Sequence, residues 1–203
     1  MTVSELLHRI LREPSADDLW QLNPYLLGLD SPEAERARAL AQQFYCYLNC
    51  VLSKLTSKQY SSLSALLAAG SIGMVVAQDV IQAVQRSRQE AISELLAGGM
   101  AGLLEAASAW QHVKAWEAEY LSVQDEVSWH LYETLWQVSV ETQPDLPVET
   151  RRALVDQLLA PIRSSDTNSA VRVALIIRLF QILLVIQLAP LLTESVPTSE
   201  QPA

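Results

Sequence analysis

Apolar positions recur along this chain at the three-to-four-residue spacing of helices, and alternating runs of the strand type are nearly absent. Thr2 with Glu5 forms a capping box, so the pattern predicts a first helix to about Arg12. Pro14 interrupts it, and Ser15 with Asp18 caps a short piece through Gln21. Asn23 before Pro24 reads as a fresh start running to Leu29. Ser31-Pro32 repeats that signal and opens a long helix through about Leu55. One face of it carries Ala37, Leu40, Phe44, Tyr47, Leu48 and Val51. Thr56 or Ser57 caps the next helix.

The middle of the stretch from Ser57 to Arg88, residues 63–77, and the stretch from 91 to 109 are apolar and rich in small residues, which lets helix backbones approach closely. Helices are then predicted over 100–121 and, capped by Ser122 and Asp125, over 123–141. Pro144 and Pro147 bound a linker. A short amphipathic helix follows to Ala160, with Leu154, Leu158 and Leu159 apolar and Pro161 as its stop. Residues 193–203, with Pro197 and Pro202, offer nothing to bury and read as a disordered tail.

The stretch from Val171 to Leu192 differs from all of these. It contains no acidic residue, and its apolar side chains fall on every side of a helix, which requires burial all round. Its length suits a membrane span, but Arg178 sits near its middle, with Gln181 and Gln187 after it. A central Arg costs about 2.5–3.5 kcal/mol on insertion scales. The buried core helix of a bundle is the expected reading, with Arg178 meeting a carboxylate from a neighbouring helix and Pro190 ending or kinking the helix.

The fold class that follows is all-α: a single multi-helix bundle of about seven or eight helices, spanning 1–192, around an apolar C-terminal helix. Half of the 203 residues are apolar, enough to supply a sizeable core.

Charge changes the picture in one half. Residues 89–150 hold eleven acidic residues against one base, Lys114, whereas the whole chain is at −9. Such a field repels phosphate, so nucleic acid is not an expected partner; basic protein surfaces and cations are attracted. The same half holds Trp110, Trp116, Tyr120, Trp129, Tyr132 and Trp136.

Motifs for chemistry are sparse. No G-x-S-x-G and no G-x-x-x-x-G-K-[ST] occurs. Glu105, His112, Glu119, Glu126 and Glu133 recur every seven residues, but only Glu5 and His8 form the Glu-x-x-His unit of di-iron bundles, so no metal or other cofactor is expected. Cys46 and Cys50, four apart, read as small buried packing residues in a reduced setting. The start of the chain is amphipathic and lacks a secretory pattern, so a cytoplasmic location is expected.

The function expected from this pattern is a non-enzymatic helical scaffold or adaptor that binds another protein or itself. Its expected anchors are Trp116, Tyr120, Trp129 and Trp136, and its steering charges are Glu117, Glu119, Glu126 and Glu133. Two rivals remain open: a membrane-active protein inserting a hairpin over about 63–104, with membrane contact possible but not favoured, and a bundle binding a small apolar ligand or a metal.

Overall fold

The computed structural model describes residues 1–69, 100–101, 103–105, 121–164, 167 and 169–193, and every regular element among them is helical. Seven helices have defined bounds: α1 (Val3–Arg12), α2 (Ala16–Leu27), α3 (Pro32–Leu52), α4 (Ser57–Ala69), α5 (Leu121–Thr142), α6 (Val148–Arg163) and α7 (Ser169–Thr193). The fold class is therefore all-α, as the pattern predicts.

The helix starts follow from capping chemistry. Thr2 accepts from the Glu5 N–H while Glu5 accepts from the Thr2 N–H, closing the capping box of α1. Ser15 accepts from the Asp18 N–H and Ser31 from the Ala34 N–H. Thr56 and Gln59 bond reciprocally at the start of α4. Ser31 opens the helix that packs most extensively on both α2 and α7. Ser31→Ala is expected to cost about 1 kcal/mol, measured as a lower denaturation midpoint at unchanged slope.

The centre of the structure is α7. From Ala170 to Ala189 every side chain is buried, and the apolar stretch from Ala170 to Leu192 is sealed by α1, α3, α4, α5 and α6. The α3 face named above, Ala37 to Val51, is buried against it. Phe44 stacks on Phe180 with ring centroids 4.9 Å apart, and Tyr47 leans on the same ring at 5.8 Å. By length and composition α7 is long enough to cross a membrane, but a span covered by its own protein is a core helix. The ends of the hairpin proposed over 63–104 are also packed in the core, through Leu63, Leu66, Met100 and Leu103; its middle lies outside the described residues.

Three polar side chains of α7 bond to neighbouring backbone. Arg172 donates to the Ser164 and Thr167 carbonyls and ties down the preceding loop. Gln181 donates to the Ile10 and Leu11 carbonyls at 2.9 and 3.3 Å, groups that the last turn of α1 leaves without helical partners. Arg178 differs from expectation. It is 1% exposed, and its Nη2 donates to the Leu67 carbonyl of α4 at 2.8 Å, with no carboxylate bound among the described residues. Its Nε and Nη1 have no partner, and burial pushes the guanidinium down to about 10. A carbonyl near the end of a helix replaces the ion pair because it already carries partial negative charge without a second charge to desolvate.

Prolines also depart from their expected roles. Pro24, Pro161 and Pro190 all lie inside helices rather than starting or stopping them: α2 is one helix rather than two, α6 runs on to Arg163, and α7 to Thr193. In each case a buried apolar residue follows closely (Leu26, Ile162 and Leu191), and its packing offsets the lost backbone bond. Ser122, expected as a cap, lies within α5. The tail expected from 193 lies outside the described residues, apart from Thr193 at the end of α7.

Candidate functional site

The acidic, aromatic half places two different stripes on α5. Trp129, Tyr132 and Trp136 lie at i, i+3 and i+7 on the side toward α6. Their rings form a ladder, with centroids 6.1 Å apart between Trp129 and Tyr132 and 6.2 Å between Tyr132 and Trp136, at interplanar angles of 13° and 17°. Helix α6 supplies two arginines to it. The Arg163 guanidinium lies 5.5 Å from the Tyr132 ring centre, and Arg151 lies 5.7 Å from that of Trp136. Arg151 is buried and donates to the Gln143 carbonyl at 2.7 Å, which fixes the α5–α6 turn. Arg163 donates to Ser128 on α5 and pairs with Asp156. The ladder is held at its middle ring and its inner end, and its outer member, Trp129, stays 60% exposed.

On the adjoining side of α5, His130, Glu133, Thr134 and Gln137 face a cleft of about 210 Å³. Arg36, Ala39, Leu40 and Gln43 of α3 form its opposite wall, and Gln187 of α7 also lines it. Arg36 has its donors occupied: Nη1 pairs with Glu141 at 3.3 Å, Nη2 with Glu33 at 3.2 Å, and Nε approaches the Gln187 Oε1 at 3.4 Å. The His130 Nδ1 lies 3.9 Å from a Glu133 carboxylate oxygen, beyond a true hydrogen bond.

Of the residues expected at a partner surface, Trp129, Glu133 and Trp136 therefore share α5 but split in role. Trp129 and Glu133 are exposed, whereas Trp136 is half-buried against α6 and packs on the core. Trp116, Glu117, Glu119 and Tyr120, and the side chain of Glu126, lie outside the described residues, as do Trp110 and His112. Among the described residues no group of three or more His, Cys, Asp or Glu is placed to hold a metal ion. The expectation for the cysteines needs correcting: Cys46 is exposed and Cys50 only half-buried, because α3 turns Phe44, Tyr47 and Leu48 inward in their place.

A second aromatic surface was not anticipated. Trp20, Pro24 and Leu27 lie at i, i+4 and i+7 on the outer side of α2, with Trp20 61% and Leu27 66% exposed. Tyr45 of α3 packs beside Trp20, ring centres 5.6 Å apart. The spacing was legible once α2 is taken as one helix; splitting it at Pro24 hid the stripe.

The chain matches no known protein family, no curated protein and no solved structure.

Proposed function

We propose that this chain is a non-enzymatic helical interaction module, a scaffold or adaptor, and that the outer edge of α5 around Trp129 is a contact surface for another protein. The observation that carries this reading is the ladder itself. An indole 60% exposed to water is costly to leave uncovered, yet here it is stacked on Tyr132, which stacks in turn on Trp136, and those two rings are held by Arg163 and Arg151. A large aromatic fixed in place loses little conformational freedom when a partner covers it, the usual property of an interface anchor. Glu133, one turn along, is exposed beside it and adds the charge that attracts a basic partner. Self-association uses the same chemistry and is one form of the proposal.

The test is affinity capture with the purified chain, read quantitatively, together with its own mass in solution. Trp129→Ala is expected to keep the helical fold, since the side chain is mostly outside the core. Loss of an anchor typically weakens association by about 2 kcal/mol or more, around thirtyfold. Glu133→Lys is expected to slow association and flatten its salt dependence. A bound set, or an oligomer, that is the same for wild type and Trp129→Ala would remove α5 as the contact surface. The stripe at Trp20 and Leu27 would then be the surface to vary.

A further inference from the structure

Two of the three rings in the α5 ladder carry a guanidinium. Arg163 lies 5.5 Å from the Tyr132 ring centre and Arg151 lies 5.7 Å from that of Trp136. Among the described residues no cation lies over Trp129, although an indole is the strongest aromatic acceptor for one. Neither helix of the pair supplies it. The sequence of α5 holds four acidic residues and no Lys or Arg, so the cations on its ladder come from another element. That element, α6, has three arginines, and its third, Arg152, pairs with Glu149 instead. Room for a further guanidinium is also electrostatic. The Arg163 charge is matched by Asp156 at 3.3 Å, so a second cation beside it meets little repulsion. Trp129 thus offers a ring stacked in place on Tyr132 and open to solvent, at the end of a row whose other members each hold an arginine.

We infer that the exposed side of Trp129 receives an arginine side chain of the partner protein, the third guanidinium of the ladder. The inference rests on the contact surface proposed above and names what the partner brings to it. Guanidinium is favoured over ammonium because it is planar, stacks on a ring and sheds its water more readily. The acidic side chains of α5 complement its charge. A methylated ammonium is a poorer fit, since it is held by rings that enclose one point. These three rings lie in a row, at interplanar angles of 13° and 17°. A nucleic-acid base would also stack on the indole, but its phosphates would meet the same acidic helix.

The test is titration of the full chain with a peptide of alternating Arg and Gly, and with the same peptide carrying Lys or citrulline in place of Arg. The readout is the indole N–H signal of Trp129 by NMR, assigned by its loss in Trp129→Phe; affinities of the variants are read by calorimetry. A saturable shift with the arginine peptide is expected, with the citrulline peptide weaker by about fivefold or more and the lysine peptide between them. Trp129→Leu keeps an apolar side chain without a ring and is expected to weaken the arginine peptide by about fivefold, whereas Trp129→Phe recovers part of that loss. The side chain is mostly outside the core, so both variants keep the fold, which circular dichroism verifies. The inference is overturned by no saturable shift of the Trp129 signal, by arginine bound no better than lysine or citrulline, or by an affinity unchanged in Trp129→Leu. A dimer of the purified chain that Trp129→Ala dissociates also overturns it, since the surface then receives a second copy. The contact surface itself fails separately: capture unchanged by Trp129→Ala removes both, whereas capture lost in that variant, with arginine and citrulline peptides bound alike, removes only the arginine.

Discussion

Leu183→Asp is expected to abolish the folded state. Leu183 is fully buried in α7, with Leu179 one turn earlier equally enclosed. A carboxylate there loses its water and meets no cation: the Arg178 guanidinium, five residues away, is aimed at the Leu67 carbonyl of α4. The cost combines a lost leucine, about 2–5 kcal/mol, with several kcal/mol for the buried polar group. A domain has about 5–15 kcal/mol in all, so little or nothing remains. Loss of the cooperative thermal transition is the predicted readout, and Leu154→Asp, at a position already 39% exposed, is the matched control that keeps it. A Leu183→Asp chain with the wild-type midpoint would show that α7 is not the core.

Arg178 separates two contributions of one side chain. Its methylenes fill the centre of the bundle, but its charge is desolvated, and two of its three nitrogens have no partner. Arg178→Ala removes both contributions, opens a cavity and leaves the Leu67 carbonyl without a donor. A loss of about 2–5 kcal/mol is expected in urea unfolding. Arg178→Met keeps most of the volume and removes the charge, so stability is expected to hold or to rise by up to about 2 kcal/mol. The pH dependence has a definite sign. The folded-state value lies near 10, below the ordinary guanidinium value, so folding disfavours the charged form. That cost is fully present below about pH 10 and is relieved as pH rises through it toward the ordinary guanidinium value. The advantage of Arg178→Met is therefore expected to be widest at neutral pH and to narrow above about pH 10. A methionine variant as unstable as the alanine one would mean that the hydrogen bond to Leu67 outweighs the buried charge.

What the amino-acid pattern revealed, and what it hid, divides along physical lines. Caps at Thr2, Ser15 and Ser31 were legible because they depend on side chains three residues apart. The α3 stripe and the burial of α7 were legible because periodicity reports which sides of a helix avoid water. Proline was misjudged at Pro24 and Pro161 because its cost is local, whereas what offsets it, the burial of Leu26 and Ile162, comes from other helices. The partner of Arg178 was misjudged for the same reason: a carbonyl near a helix end is invisible until the helices are placed. At the candidate site, the spacing of Trp129, Tyr132 and Trp136 marked one face of α5, but not that α6 would cover part of that face with arginines. The cleft was hidden altogether, since it needs Arg36, Glu133 and Gln187 from three helices.

The packing of α5 has a consequence for how the molecule comes apart. Helix α5 meets α6 more extensively than either meets α7, and it touches α3 through the Arg36–Glu141 pair, part-exposed at 3.3 Å. The two helices, clamped to each other by Arg151 and Arg163, form a unit with internal bonds stronger than its attachments. Backbone amides of α5 and α6 should accordingly exchange with deuterium together, at a free energy below that of α3 and α7, and more readily as salt screens Arg36–Glu141, the ion pair that joins them to α3 among the described residues. The hairpin carrying Trp129 then opens as one cooperative unit, and its opening uncovers Leu131, Leu135 and Leu159, which are buried in the shared core.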